Sequence, residues 1–204
     1  IAGLTITPAR NQAACGKAAA RFIQEAVRAC QDGRCHALVT APISKKALSL
    51  AGIEFPGHTE MIASLTQCTR FAMLLYSETA RLAVAHVTSH QALRSVPESV
   101  TTERIVQVAA LLNQHLKILR GLANPRIAVL GLNPHASEEG LFGDDEEIIV
   151  RPAVQRIRAL GIDAEGPLPP DSAFTPRALQ RYDGHVALYH DQGGIPFKMV
   201  AFDS

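Results

Sequence analysis

The chain has 204 residues, 47% of them hydrophobic and 19% charged, with a formal net charge of +1. This is the composition of a folded globular chain with one good core or two small ones, and it offers no field that would draw nucleic acid or an acidic membrane. No apolar run is long enough to span a bilayer and no signal-peptide pattern opens the sequence, so the expected location is cytoplasmic, with Cys15, Cys30, Cys35 and Cys68 as free thiols.

The segment NQAACGKAAARFIQEAVRACQDG spaces Ala19, Phe22, Ile23, Ala26, Val27 and Cys30 at helical intervals and meets a stop at Gly33. HALVT (36–40) then reads as a short buried strand. APISKKALSLAGI is a loop that turns into a short helix, and TEMIASLTQ is a second helix. FAMLLY and RLAVAHVT read as strands joined by the polar turn SETA, close enough to pair as an antiparallel hairpin. TTERIVQVAALLNQHLKILRG is a long amphipathic helix with Thr101 or Thr102 as its cap and Gly121 as its stop. RIAVLGL is a strand. EEIIVRPAVQRIRALG is a helix whose first turn holds Glu146 and Glu147, where carboxylates suit the positive end of the macrodipole, with Pro152 near its start or at a kink. HVALYH is a strand. Helices alternating with short buried strands predict an α/β fold whose sheet is mixed and flanked by helices. No composition break marks a linker. No GxGxxG follows a strand and no GxxxxGKS occurs, so a nucleotide bound here is held without those two devices.

Three of the strands share one habit: they run out into His90, His135 and His190, each among turn-forming residues. In an open α/β sheet the loops past the strand C-termini carry ligands, and three neutral imidazoles leave open positions on a divalent cation for substrate or water. The other five histidines, His36, His58, His86, His115 and His185, read as surface or core residues satisfied by hydrogen bonds. In FPGHTE, His58 and Thr59 could seat an anion at a helix start, but the residues alone favour Thr59 as an N-cap with His58 exposed. Lys45 and Lys46 read as a solvated helix face. Lys198 is a lone cation in the apolar stretch GGIPFKMV and must snorkel, pair or work. Asp171 lies in the proline-stiffened loop GPLPPDSAF, and Asp191 could orient the His190 imidazole or bind a metal itself.

VTAPISKKALSLAGIEFPGHTE, GLNPHASEEGLFGDDEE, GPLPPDSAF and YHDQGGIPFK together resemble the 4-hydroxythreonine-4-phosphate dehydrogenase family of vitamin B6 biosynthesis, over nearly the whole chain. The resemblance implies a fold like isocitrate and isopropylmalate dehydrogenases, with two α/β domains in the full family, and a homodimer with shared active sites. It implies a divalent metal on His90, His135 and His190, one of the three reaching across from the other subunit. His58, Thr59 and Lys198 would bind a small phosphorylated hydroxy-acid substrate, with Lys198, Asp171 and Asp191 as catalytic side chains. NAD or NADP would accept the hydride. Three imidazoles suit zinc best, and magnesium, cobalt, nickel or manganese can compete. The implied reaction is oxidation and decarboxylation of 4-phosphohydroxy-L-threonine to 3-amino-2-oxopropyl phosphate.

Two departures stand out. The family's VTGP is VTAP here, and SEEG, with Glu139, replaces a more glycine-rich loop after His135. They point toward side branches that oxidise 4-phospho-D-threonate or erythronate, or an aromatic cis-dihydrodiol carboxylate. The sequence starts at Ile1 and lacks the family's N-terminal glycine-rich segment and its C-terminal segment. Residues 1–204 are therefore expected to be the central portion of one dehydrogenase chain, lacking parts of its active site and of its fold, which puts activity of this exact chain in doubt. Other readings of the same residues are a non-catalytic binding or assembly module and a metal-dependent hydrolase that uses no nicotinamide.

Overall fold

The structure is a computed structural model that describes residues 5–55 and 57–202; Pro56 of the FPGHTE block lies outside them. The chain divides into two compact units, Ile1–Arg70 and Phe71–Ser204, at a point where the composition does not change.

The first unit is helical. Helices α1 (Ala13–Gln31), α2 (Lys45–Leu50) and α3 (His58–Thr66) bury Ala20, Ile23, Val27, Leu48 and Met61 against one another. Of the predicted apolar stripe on α1, Ile23 and Val27 face this core, while Phe22 stays largely exposed. Gly16 sets the closeness of α1 to α2: a Cβ there would lie 2.0 Å from the Ala47 carbonyl oxygen. Ser44 caps α2 by accepting the Ala47 N–H. HALVT does not form the expected buried strand. No strand pairs with it among the described residues, and Val39 is 93% exposed. A strand exists only through its ladder partners, and without them β-branched sequence is extended chain.

The second unit is built on a five-stranded sheet of order β1-β2-β5-β3-β4. Its strands are β1 (Met73–Ser77), β2 (Leu82–His86), β3 (Ile127–Leu130), β4 (Ala164–Leu168) and β5 (Gly184–Ala187). The β1–β2 hairpin is antiparallel and the remaining pairings are parallel, which is the mixed sheet the sequence predicts. Both faces are covered, so the central strands read as unbroken apolar runs. Ala83, Ala85, Val129 and Val186 pack with helices α5 (Thr102–Arg120) and α6 (Arg151–Ala159). Leu82, Val84, Leu130 and Ala187 pack on the other side with Ala173 and Phe197. Helix α5 has the expected ends: Thr101 accepts the Arg104 N–H, and Gly121 closes the helix at φ 64°. A short helix α4 (Val96–Ser99) precedes it.

Three elements depart from expectation. GPL of the proline-rich loop belongs to the edge strand β4, where the missing proline N–H is tolerated. Helix α7 (Pro176–Arg181) follows it. The HDQGG segment is no turn but the start of helix α8 (His190–Ala201), despite two glycines and an internal Pro196.

His185 on β5 is a core histidine with one ring nitrogen paired and its buried Nδ1 without a hydrogen-bond partner among the described residues. Its Nε2–H donates to the Ala173 carbonyl at 2.9 Å and its ring stacks on Phe174 at 4.6 Å. Burial pushes its pKa down to about 4. The unfolded chain therefore takes this proton near pH 6.5 and the folded chain only near pH 4. The stability that His185 contributes is full above pH 6.5 and is lost as pH falls toward 4, by about 3 kcal/mol in total. Urea unfolding between pH 7 and pH 4 should show this fall. His185→Gln, which keeps a donor to Ala173 but cannot titrate, should show a shallower one.

Candidate functional site

In the first unit, His58 is the first residue of α3 and is half-buried, not exposed. The N-cap position belongs to Gly57, and Thr59 makes no cap hydrogen bond. The Nε2 atom of His58 is buried and has no hydrogen-bond partner among the described residues. The ring borders an apolar cavity of about 300 Å³ that Phe22, Leu38 and Ile43 also line. Lys45 and Lys46 are exposed on α2, as expected of a solvated face.

In the second unit, the parallel ladder between β2 and β5 continues past the strand ends. The Val87 N–H donates to Ala187 O at 2.8 Å, and the Thr88 N–H and hydroxyl both donate to Leu188 O. This pairing carries the next residues of both chains forward together, and the rings of His90 and His190 end 5.4 Å apart. Asp191 sits 2.7 Å from His190 Nδ1, which leaves Nε2 as the nitrogen free for another partner. A cavity of about 600 Å³ is lined here by Ser89, His90, Gln91, Tyr189, His190 and Asp191, among others.

His86 lies beneath this pair. It is 1% exposed, its ring is 6.0 Å from that of His190, and neither ring nitrogen makes a hydrogen bond of good geometry among the described residues. Burial lowers its pKa, and the neighbouring His190 and His90 add to the effect. The sequence reading placed His86 with the satisfied histidines, and it is not one. The close approach of α8 fixes it there. A Cβ on Gly193 would fall 2.6 Å from Val84 Cγ1, 2.7 Å from His86 Nε2 and 2.8 Å from Ala187 Cβ.

His135 is exposed in the loop after β3, with its Nδ1 3.6 Å from an Asp171 carboxylate oxygen. That is ion-pair range but beyond a hydrogen bond. His135, Ala136, Ser137, Glu138 and Glu139 all have positive φ, between 43° and 69°. A left-handed residue with a side chain costs roughly 1–2 kcal/mol, so five in a row are a strained turn. Glu139 sits at one of these positions, where glycine would be unstrained. The loop is held by a carboxylate that the sequence assigned to an ordinary first helical turn. Glu146 is fully buried, in a π-helical turn (Glu146–Val150) that leads into α6. One of its oxygens accepts the N–H groups of Leu132 and Asn133 at 2.7 Å each, and the other accepts from the Asn133 side chain at 3.0 Å. Hydrogen bonds to a charged group contribute about 1.5–3 kcal/mol each, enough to offset much of that strain.

Among the described residues no three His, Cys, Asp or Glu side chains stand close enough together to hold one ion. The candidates fall into His90 with His190 and His135 with Asp171. Lys198 is exposed on the last turn of α8 and has no ion-pair partner among the described residues.

The profile of the family described as "Pyridoxal phosphate biosynthetic protein PdxA" matches residues 1–204. The chain belongs to the PdxA family. It is 44% identical over 197 residues to a D-threonate 4-phosphate dehydrogenase of Pectobacterium atrosepticum, covering 97% of this chain and 60% of that protein. It is 48% identical over 191 residues to a 4-hydroxythreonine-4-phosphate dehydrogenase of Geobacter metallireducens, covering 93% of this chain and 55% of that one. Among solved structures, a 4-hydroxythreonine-4-phosphate dehydrogenase from Klebsiella pneumoniae superposes with a TM-score of 0.90 at 46% identity, covering 97% of this chain and 59% of the other. The chain thus spans about three-fifths of the length of these PdxA-family proteins.

The packing around His86 separates two adjacent glycines of α8. Gly193→Ala should destabilise the fold by about 1–3 kcal/mol, because Val84, His86 and Ala187 must all give way. At Gly194 the nearest atom to an added Cβ is 3.7 Å away, so Gly194→Ala should stabilise by about 0.5–1 kcal/mol through the helix preference of alanine. Denaturant unfolding of the two variants checks the contrast; equal effects would remove the packing account.

Proposed function

We propose that this chain carries the metal-binding and part of the substrate-binding residues of a divalent-metal- and NAD(P)-dependent dehydrogenase. The reaction is oxidation and decarboxylation of 4-phosphohydroxy-L-threonine to 3-amino-2-oxopropyl phosphate. The reading is carried by the His90–His190 pair on the 600 Å³ cavity, with Asp191 at His190 Nδ1. A carboxylate on one ring nitrogen orients the other toward a ligand, which is the arrangement of metal-ligating histidines. Two imidazoles suit a borderline cation in kind, with zinc favoured over magnesium or cobalt, and at least one more ligand must complete the set.

His90 and His190, with His135, would hold the ion, and a pair within one chain leaves the third position to the partner subunit of a homodimer. When bound, the ion would supply Lewis acidity at the substrate hydroxyl and the nicotinamide would supply the oxidant. Asp191 keeps the His190 ring in register. Asp171, beside His135, is placed to orient that ring or to take a proton. Lys198, without an ion-pair partner among the described residues, would offer its ammonium to the negative charge that loss of CO2 leaves on the substrate. His58, with its buried and unpartnered Nε2, and Thr59 beside it are the substrate-binding candidates of the first unit.

A second substrate has its own support. The Pectobacterium atrosepticum relative is named for D-threonate 4-phosphate, and that supports 4-phospho-D-threonate as the alternative. Both substrates use the same metal and hydride chemistry. The natural protein should form NADH or NADPH with one of these two substrates and a divalent ion, and a side-by-side comparison including 4-phosphoerythronate and a cis-dihydrodiol carboxylate identifies which. His135→Ala should abolish stoichiometric zinc binding in calorimetry. Unchanged binding would sink the metal assignment.

A further inference from the structure

Each of the three histidine-bearing segments is held two residues before its histidine. Thr88 precedes His90, Leu188 precedes His190 and Asn133 precedes His135 by the same interval. The β3–β5 ladder itself ends at Val129 and Val186. Beyond it, one side chain takes over. Gln192, on the first turn of α8 and 8% exposed, accepts the Leu188 N–H with Oε1 and donates to the Gly131 carbonyl with Nε2, both at 2.7 Å. Its amide stands where another rung of the sheet would be. Leu188 O is meanwhile taken by Thr88, and the N–H groups just after Gly131 are taken by buried Glu146. The result is one continuous chain of hydrogen bonds from Thr88 through Leu188, Gln192 and Gly131 to Glu146. It links the three loops through their backbones and touches none of the three imidazoles.

We propose that Gln192 and Glu146 are positioning residues that fix where the His190 and His135 loops leave the sheet, and thereby the affinity of the ion sites to which those loops contribute. This rests on the metal reading above. The geometry favours a positioning role over simple core filling for two reasons. An apolar core would have placed Leu or Met at position 192, and the two groups Gln192 satisfies belong to different ligand-bearing loops. A buried backbone group left without a partner is costly, so loss of the amide would make both loops move to find new partners.

The test uses the natural protein, with cobalt(II) and zinc(II) as probes. Gln192→Met keeps the volume and removes both hydrogen bonds. Glu146→Gln keeps the shape and an acceptor for the two N–H groups while removing the charge. Gln192→Met should weaken metal binding by about tenfold, less than loss of a partner bonded directly to a ligand would, and should alter the visible absorption of bound cobalt. Glu146→Gln should weaken it about tenfold or less. Natural affinity and an unaltered cobalt spectrum in Gln192→Met would overturn the proposal. If that variant does not fold, unchanged affinity in Glu146→Gln overturns it instead. If the natural protein binds no metal, the metal reading fails. The clamp is then judged by amide hydrogen exchange at Leu132 and Leu188: faster exchange at both in Gln192→Met supports it, and unaltered exchange rejects it.

Discussion

Where a parallel sheet stops, its backbone does not stop needing partners. The N–H and C=O groups just past β2, β3 and β5 are buried, and each must be paired or cost the fold. In this chain Thr88, Gln192 and Glu146 do the pairing. The paths of the three histidine loops follow from that requirement, because each loop leaves the sheet from a residue whose backbone direction is already fixed. The site is in this sense an extension of the sheet by side chains. Its rigidity comes from the same hydrogen-bond accounting that makes the strands.

The His135 loop shows what such anchoring permits. Five consecutive residues with side chains in the left-handed region would relax in a free peptide. Here the turn is gripped at both ends, by Glu146 on Leu132 and Asn133, and by the buried Ser137 hydroxyl accepting the Gly140 N–H at 3.1 Å. Gly131 allows the loop to fold back, since a Cβ there would lie 2.9 Å from Ala136 and 3.1 Å from Glu146. Backbone strain that persists because its surroundings over-determine it is common at ligand sites. The SEEG departure therefore has a physical meaning: Glu138 and Glu139 occupy conformations that glycine adopts freely, and they add carboxylates to the exposed rim of the loop.

The sequence disclosed what is local. Helix α5 announced both its cap and its stop, the β1–β2 hairpin was visible in two apolar runs and a polar turn, and the approach of His90 to His190 could be anticipated from their places after two strands. What it hid depends on distance. HALVT looks like a strand because β-branched residues favour one, but strand formation needs a neighbour that spacing cannot supply. Gly166 and Pro167 concealed β4, and two glycines and a proline concealed the start of α8, since tertiary packing overrode poor propensity in both. Glu146 looked like one more acid in a helical first turn. Its role depends on Leu132 and Asn133, more than ten residues earlier, and no local pattern marks a carboxylate as buried. The same holds for Gln192, whose partner Gly131 is 61 residues away, and for His86, whose lack of partners shows only when α8 is packed over it.

Strand β5 is last of the five along the chain and third of the five in the sheet. A ribosome delivers β2 and β3 well before Gly184–Ala187, and through that interval neither has the neighbour it will finally share. Their facing edges then present unsatisfied backbone to the cell, the kind of surface that recruits foreign strands. Closure must also span about a hundred residues, as between Thr88 and Leu188, and long-range pairing of this sort is slow. The nascent chain therefore passes through its most adhesive state just before its centre arrives. Insertion of this one four-residue strand seals the sheet and brings the His90 and His190 segments side by side in the same step.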